Sequence, residues 1–401
     1  MPPADVVLFV NRRSPVQPRP SARATLRTFP AASGATVQKG EMTDHRVFTP
    51  TYYPSLTHST SRVMSVVAAV MMLAGCSGSG STAVAPKPVP PVAGARVLFR
   101  HPTSLLHSTG RLNVNGQPRR HFASYYACPF KGAIEYVSDE FNNVVYVYTG
   151  KFAGQSPCGL IASSSLLNPS GLYVAIATHD LYVANWGGSN ILVFHQRATT
   201  PYNTYSDPTL QDPYDVTVTS DGIVIASNEE AKRGIGKGSL STWIGGPNGG
   251  TFVGNFPMTN DDFGLDLTLK RNGTVFFDDV DSTTGIGALW KVACPAGACG
   301  AQTQVANVSF EDPGGMDFDS TDHLLVNDSS ASRVDSFVLP NPQPSTVRLP
   351  CCPIGMAIDD LHQHWFTTGL SYAAEYLYPS FTLVGTVPGQ NGAMFGVAVD
   401  P

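Results

Sequence analysis

Charge is scarce in this chain. Asp, Glu, Lys and Arg make up 14% of its 401 residues, for a net charge of -5, and no Lys/Arg run is long enough to track a phosphate backbone. Nucleic acid is therefore not an expected partner. No apolar run reaches the roughly 20 residues that a membrane-spanning helix needs. Long helices have little room, because 38 Gly and 32 Pro punctuate the chain with turns. Catalytic signatures are missing too: no Gly-x-Ser-x-Gly elbow, no His-Glu-x-x-His pair and no phosphate-binding glycine loop. Residues 245–250 are glycine-rich but lack a Lys and a following helix, and read as an outer loop. What the chain does have is 42% hydrophobic residues, with many Phe, Tyr and Val. These can supply a core and suit strands. The expected class is all-β.

The longest apolar run, residues 63–75, follows Arg62 and ends in small residues, which is the layout of a signal peptide. There Leu73, Ala74 and Gly75 lead into Cys76, a sequence that resembles the lipobox of bacterial lipoproteins. The resemblance implies cleavage before Cys76 and diacylation of its thiol, an anchor that is stable with two acyl chains or more. Residues 77–82 are Ser, Gly and Thr, and residues 87–91 are rich in Pro, a flexible tether followed by a stiffer spacer. The expected organisation has four parts. Residues 1–62 are a leader, from a start placed too far upstream or a disordered extension. Residues 63–75 are the signal, residues 76–125 the lipidated tether and spacer, and residues 126–401 the folded domain. The expected location is extracytoplasmic, lipid-anchored to a bacterial membrane in the cell envelope. The expected partners are that membrane and an unknown small molecule or protein.

From about residue 130 the chain repeats a turn, a Gly or Asp, and then alternating apolar residues. The recurring position falls at Gly171, Asp215, Gly264, Gly315, Gly355 and Gly396. The spacing of about 40–50 residues is that of a four-stranded propeller blade. Second strands are legible at 181–184, 223–226, 275–277 and 324–326, some of them behind hairpin turns such as 219–222 and 270–273. Residues 134–138 read as a second strand with no first, and residues 395–400 as a first strand with no second. Joined, they complete a sixth blade. The expected fold is a six-bladed β-propeller closed by pairing of the C-terminal strand with the N-terminal blade, which leaves no inner edge bare. These residues, 181–185 above all, resemble the NHL-repeat and gluconolactonase-like six-bladed propellers over roughly residues 130–401. The likeness speaks to architecture; that scaffold serves many unrelated functions.

Six cysteines besides Cys76 allow disulfides outside the reducing cytoplasm. Cys294 and Cys299 share one loop and can bridge locally, and Cys128 and Cys158 both belong to the closing blade. Cys351 and Cys352 are adjacent, and either bridge each other or stay as thiols; a metal site there has no further Cys or His at ligand spacing.

A candidate ligand site lies at the rim where second strands turn into third strands. It collects Asp139, Asn185, Asn228, Glu229, Asp278, Asp279, Asn327 and Asp328, with Asp215 at the start of a first strand. Oxygen donors converging on a channel mouth suit a hard cation such as Ca²⁺, or the hydroxyls of a sugar or lactone. The gluconolactonase-like resemblance implies a divalent ion held by such residues, with a carboxylate base. Asx residues are also what tight turns select by themselves. Three readings stay open: turn formers, a binding site, or an active site. His179, His323, His362 and His364 fall near the opposite rim, where a polar surface explains them. The leading function is a binding or scaffolding propeller, and the alternative is a metal-dependent lactonase or hydrolase of a small carbohydrate-derived substrate.

Overall fold

The computed structural model describes residues 122–401, except 130–131, 151, 153–154, 210, 232–237, 259–262, 282–285, 306–307, 340, 350–351, 360, 362 and 390–393. Cys76, the leader, the signal region and most of the tether lie outside the described residues, as do Cys351 and His362. Among the described residues no helix is long and apolar enough to cross a membrane.

Six antiparallel sheets form a ring. From the channel outward, blade 1 is Pro169–Ala175, Asp180–Asn185, Asn190–Phe194 and Asn203–Ser206. The inner strands of blades 2 to 5 are Gln211–Val218, Phe263–Leu269, Pro313–Phe318 and Pro353–Ile358. The sixth blade joins the two ends of the domain. Its inner strand, Met394–Asp400, pairs antiparallel with Ile134–Asp139, which continues outward to Val144–Thr149, Gly159–Ile161 and Tyr125–Tyr126. The architecture is a six-bladed β-propeller, closed by its C-terminal strand.

The strands form because apolar residues alternate on sheets covered on both faces. In Ile134–Asp139 all six residues are buried, so each face packs on a neighbouring blade. Six apolar clusters fill the six gaps between blades. Between the closing blade and blade 1, for example, Tyr136, Val147 and Ala398 meet Leu172, Val183 and Phe194. Fully burying side chains of this size contributes about 1.5–3 kcal/mol each. Hairpins between first and second strands need one left-handed residue. Gly222 (φ 85°) and Gly273 (φ 82°) supply it in blades 2 and 3, where the conformation is free of a Cβ clash. His179 and Asp322 take the same conformation in blades 1 and 4.

The register corrects one detail of the repeat. Asn185 pairs with Pro169, and its equivalent Asp279 pairs with Gly264. Counting from those pairs, the residue equivalent to Gly171 and Asp215 in blade 3 is Asp266, two residues beyond the expected Gly264. The same register shift follows the first pair in blades 1, 3, 4 and 5; what differs in blade 3 is that Gly264 occupies the place that Pro169 and Pro313 fill elsewhere.

Candidate functional site

The structure puts the nine rim residues in four different environments. Asp139, Asn185 and Asp328 end their second strands, Asn228 and Asp279 lie near the ends of theirs, and all five are buried. Four of them are bound within their own blades. Asp139 accepts the Asn142 backbone N–H at 3.0 Å and its side-chain N–H at 2.8 Å. Asn185 accepts from the Leu167 N–H at 2.6 Å and donates to Asn190 at 2.9 Å. Asn228 donates to the hydroxyls of Ser239 and Ser241. Asp328 accepts the N–H groups of Glu311 and Asp312 and pairs with Arg333 at 3.0 Å. Burial lifts Asp279 to about 6 and Asp139 to about 6, against hydrogen bonds that pull both down.

Asp278 and Asn327 sit one residue earlier, where each blade is tied to the next. In the closing blade Ser138 fills that place, accepting the Gly396 N–H at 2.7 Å and donating to the Ser170 carbonyl of blade 1 at 2.6 Å. Ser227 and Thr368 repeat the arrangement. Asn327 donates across to the Ile354 and Gly355 carbonyls. Asp278 accepts the Asp266 N–H at 2.9 Å. Glu229 accepts the indole N–H of Trp186 at 2.8 Å.

That indole belongs to a plug. Phe141, Trp186, Tyr214, Leu265, Ile354 and Phe395 form one buried apolar cluster. Tyr214 and Phe395 come from inner strands two blades apart, yet their rings meet edge to face at 6.4 Å. The channel is bridged just below the rim where a cation was expected. Among the described residues no three His, Cys, Asp or Glu side chains are placed to hold one metal ion. Of the rim donors, Asp139, Asn185 and Asp328 are engaged by neighbouring turn groups.

Below the plug the channel is a blind cavity of about 250 Å³. All six inner strands line it, from the level of Gly171, Asp215, Asp266, Gly355 and Gly396 down to Ile176, Leu269, Asp359 and Val399. It opens at the opposite rim, past Ile176, which is half exposed. The acidic groups come from alternate inner-strand positions: Asp215 and Asp266 at the floor, and Asp317 one level below. Thr217 and Thr268 share that second level. Asp317 accepts the Ile358 N–H of the next blade at 2.9 Å, and Asp215 the Leu267 N–H at 3.2 Å. Burial pushes the Asp215 carboxyl up to about 7, with Asp317 adding repulsion. Burial, then the nearby Asp215 charge, raises Asp266 well above the carboxylate range.

Asp215, expected at the rim, lines the cavity instead, together with Asp266 and Asp317, which the rim pattern does not include. Their signal was legible: in Leu265-Asp266-Leu267 and Met316-Asp317-Phe318 a carboxylate interrupts an apolar inner strand. Misaligning blade 3 by two residues hid the equivalence of Asp266 with Asp215.

Cys128 and Cys158 are joined (S–S 2.02 Å), as are Cys294 and Cys299 (2.08 Å), and Cys352 is disulfide-bonded too. His179 and His364 lie against Asp400 and Glu375 at 2.6 and 2.8 Å.

No family model and no curated protein matches the sequence. Solved structures do match the fold. A chain of the nidogen/laminin complex aligns with TM-score 0.55 and 10% identity, covering 67% of this chain and 99% of that one. A protein of unknown function from Bacteroides caccae aligns with TM-score 0.51 and 8% identity, with the same coverage of 67% and 99%. At such identity the likeness concerns architecture alone, and on that level the chain is a six-bladed β-propeller.

Proposed function

We propose that this protein is an exported, lipid-anchored propeller that acts as a binding module and takes a small ligand in its blind central cavity. The cavity carries the reading. It is open at one end, closed at the other by the Trp186–Phe395 plug, and lined by carboxylates and hydroxyls among apolar walls. Ligand sites are concave and mostly apolar, with a few convergent polar groups. At about 250 Å³ this one is a little smaller than the roughly 300–1,000 Å³ usual for such sites. Export is supported by the lipobox-like Cys76 and by the disulfides of the domain, which suit an oxidising compartment. The metal-dependent hydrolase loses its main support, since the rim donors are engaged in turns and blade contacts.

A thermal-shift panel of small amines, polyols and carboxylates against the full chain in detergent tests the cavity. A ligand at a hundredfold excess over its Kd stabilises the native state by about 2.7 kcal/mol. At least one class should raise Tm. A panel that leaves Tm unchanged overturns the reading.

A further inference from the structure

We infer that the rim at which the cavity opens docks on the lipid bilayer that holds the anchor. This rests on the lipid-anchored reading and is independent of what the cavity binds.

The observation is where the exposed apolar side chains lie. Ten large hydrophobic residues are exposed among the described residues, and seven of them stand at this one rim. Single exposed apolar residues are ordinary on a protein surface; their concentration at one end of the ring is what asks for a partner. Ile244, Val338 and Leu377 pair with Ile223, His323 and His364, the first residues of their second strands, and so end their third strands there. Ile176 and Leu361 belong to the turns that follow the inner strands of blades 1 and 5. Tyr202 and Leu383 stand where the outermost strands of the same two blades begin. Exposure runs from 41% at Leu377 to 73% at Leu361. Of the other three, Leu167 and Ile286 lie at the plugged rim and Tyr125 on the side of the ring.

The layout fits a plane. The seven come from blades 1, 2, 4 and 5 and from every radius, from Ile176 beside the cavity mouth to Leu383 on an outermost strand. They stand singly on separate turns and strand ends. A protein partner gathers its anchors into one packed pocket, whereas attraction to a bilayer grows with the apolar area inserted, wherever on the plane it lies.

Charge agrees. Asp180, Asp319 and Asp400 of this rim are buried and held by His195, Tyr378 and His179. Asp322 is paired with Lys270 at 3.4 Å. Asp221 and Arg271, exposed on the hairpins of blades 2 and 3, offset each other. Docking therefore brings little uncompensated charge to the lipid.

The tether permits it. Residues 76–121 join the proposed acyl anchor to the first described residue, and at 3.3–3.6 Å each they extend to about 150–165 Å at most. That length lets the domain present either rim, so the choice falls to the surface itself. Tethering also keeps the domain at high local concentration beside the membrane, where partial insertion of a few side chains is enough to orient it. Docking turns the cavity mouth, which Ile176 borders, toward the lipid.

The test uses the full chain, purified from a bacterial host, in vesicles of phosphatidylethanolamine and phosphatidylglycerol. A lipid with a diazirine in its acyl chain is included, and crosslinked peptides are mapped by mass spectrometry after irradiation. Crosslinks are expected at residues 174–179, 358–364 and 377–383, and not at the plugged rim, residues 139–144 and 185–190. Leu361→Ser, Leu377→Ser and Leu383→Ser combined should cut the propeller crosslinks about tenfold or more, roughly what withdrawing one leucine from an apolar phase is worth. Crosslinks near Cys76 should persist, and an unchanged melting transition shows that the variant is folded. Vesicle-bound protein crosslinked only near Cys76 overturns docking while the anchor stands. Crosslinks at the predicted turns of a chain that carries no acyl group remove the anchor while docking stands. Crosslinks at the plugged rim, or ones that survive the triple variant, overturn docking. A silent rim in a chain that is dimeric by light scattering assigns the face to a second copy instead. A chain that does not bind vesicles at all removes both readings.

Discussion

Among single residues, the floor of the cavity holds the groups that the fold least needs. Asp266 is buried, and the Asp215 carboxylate lies near it, so its folded-state pKa is raised above the unfolded value. The sign of the effect follows from linkage. A carboxyl of this kind contributes stability that is complete below its unfolded pKa of about 3.9 and is lost as pH rises through the folded value, about 7 for Asp215. Asn at 266 imitates the protonated acid at every pH. Asp266→Asn is therefore expected to raise Tm by a few degrees at pH 8 and to have little effect near pH 4. Melting curves between pH 4 and 8 check this. Equal Tm for variant and wild type at pH 8 would show that Asp266 carries no repulsion in the unliganded protein. The sequence showed which residues were polar and which were apolar. It did not show that Asp139, Asn185 and Asp328 turn back onto their own blades, because an Asx that binds a turn and an Asx that awaits a cation occupy the same place in the pattern.

For the elements, the repeat was legible because blades are built from period-two strands and turn residues at fixed intervals. The closing strand was legible because both of its unmatched halves lie in one chain. Its strength can be anticipated. Met394, Phe395, Val397 and Ala398 are nearly fully buried, and the larger apolar side chains contribute about 1.5–3 kcal/mol each. A domain's whole margin is only about 5–15 kcal/mol. Deleting residues 394–401 also strips the ladder from Ile134–Asp139 and opens the plug at Phe395. The expected result is aggregation or a large fall in Tm, measured beside the full chain. A truncated protein with an unchanged melting curve would mean that the ring does not depend on this strand. The place of Asp266 was hidden because Gly264 stands where blades 1 and 4 have Pro169 and Pro313, so its glycine matched the Gly171 and Gly315 that follow those prolines by two residues. The closed end of the channel was hidden for a different reason: Tyr214, Leu265, Ile354 and Phe395 look like ordinary core residues until the ring brings them into one cluster.

For the molecule as a whole, the decisive segment is one the propeller does not contain. Where the domain operates is proposed from residues 63–91: an apolar region too short to span a bilayer, a Leu-Ala-Gly-Cys sequence, and a tether that turns from Gly/Ser to Pro. One acyl chain would give only marginal binding to a membrane, while two hold stably, so a diacylated Cys76 would keep the propeller at the surface on a flexible leash. The disulfides between Cys128 and Cys158 and between Cys294 and Cys299 persist best outside the cytoplasm, which agrees with that placement from an independent part of the chain. Expression of the full chain in a bacterial host with an alkyne-tagged fatty acid separates this from the alternatives. The wild-type protein should carry the label, sediment with membranes and run shorter than its unprocessed precursor. Cys76→Ala should lose the label and either retain its leader or appear in the soluble fraction, with the propeller's melting transition unchanged because residue 76 precedes every propeller strand in the sequence. Label that persists in Cys76→Ala, or a wild-type protein that is unlabelled and soluble, would remove the anchor. The apolar stretch before Cys76 would then need another account, as a cleaved signal without lipidation or as a segment buried elsewhere.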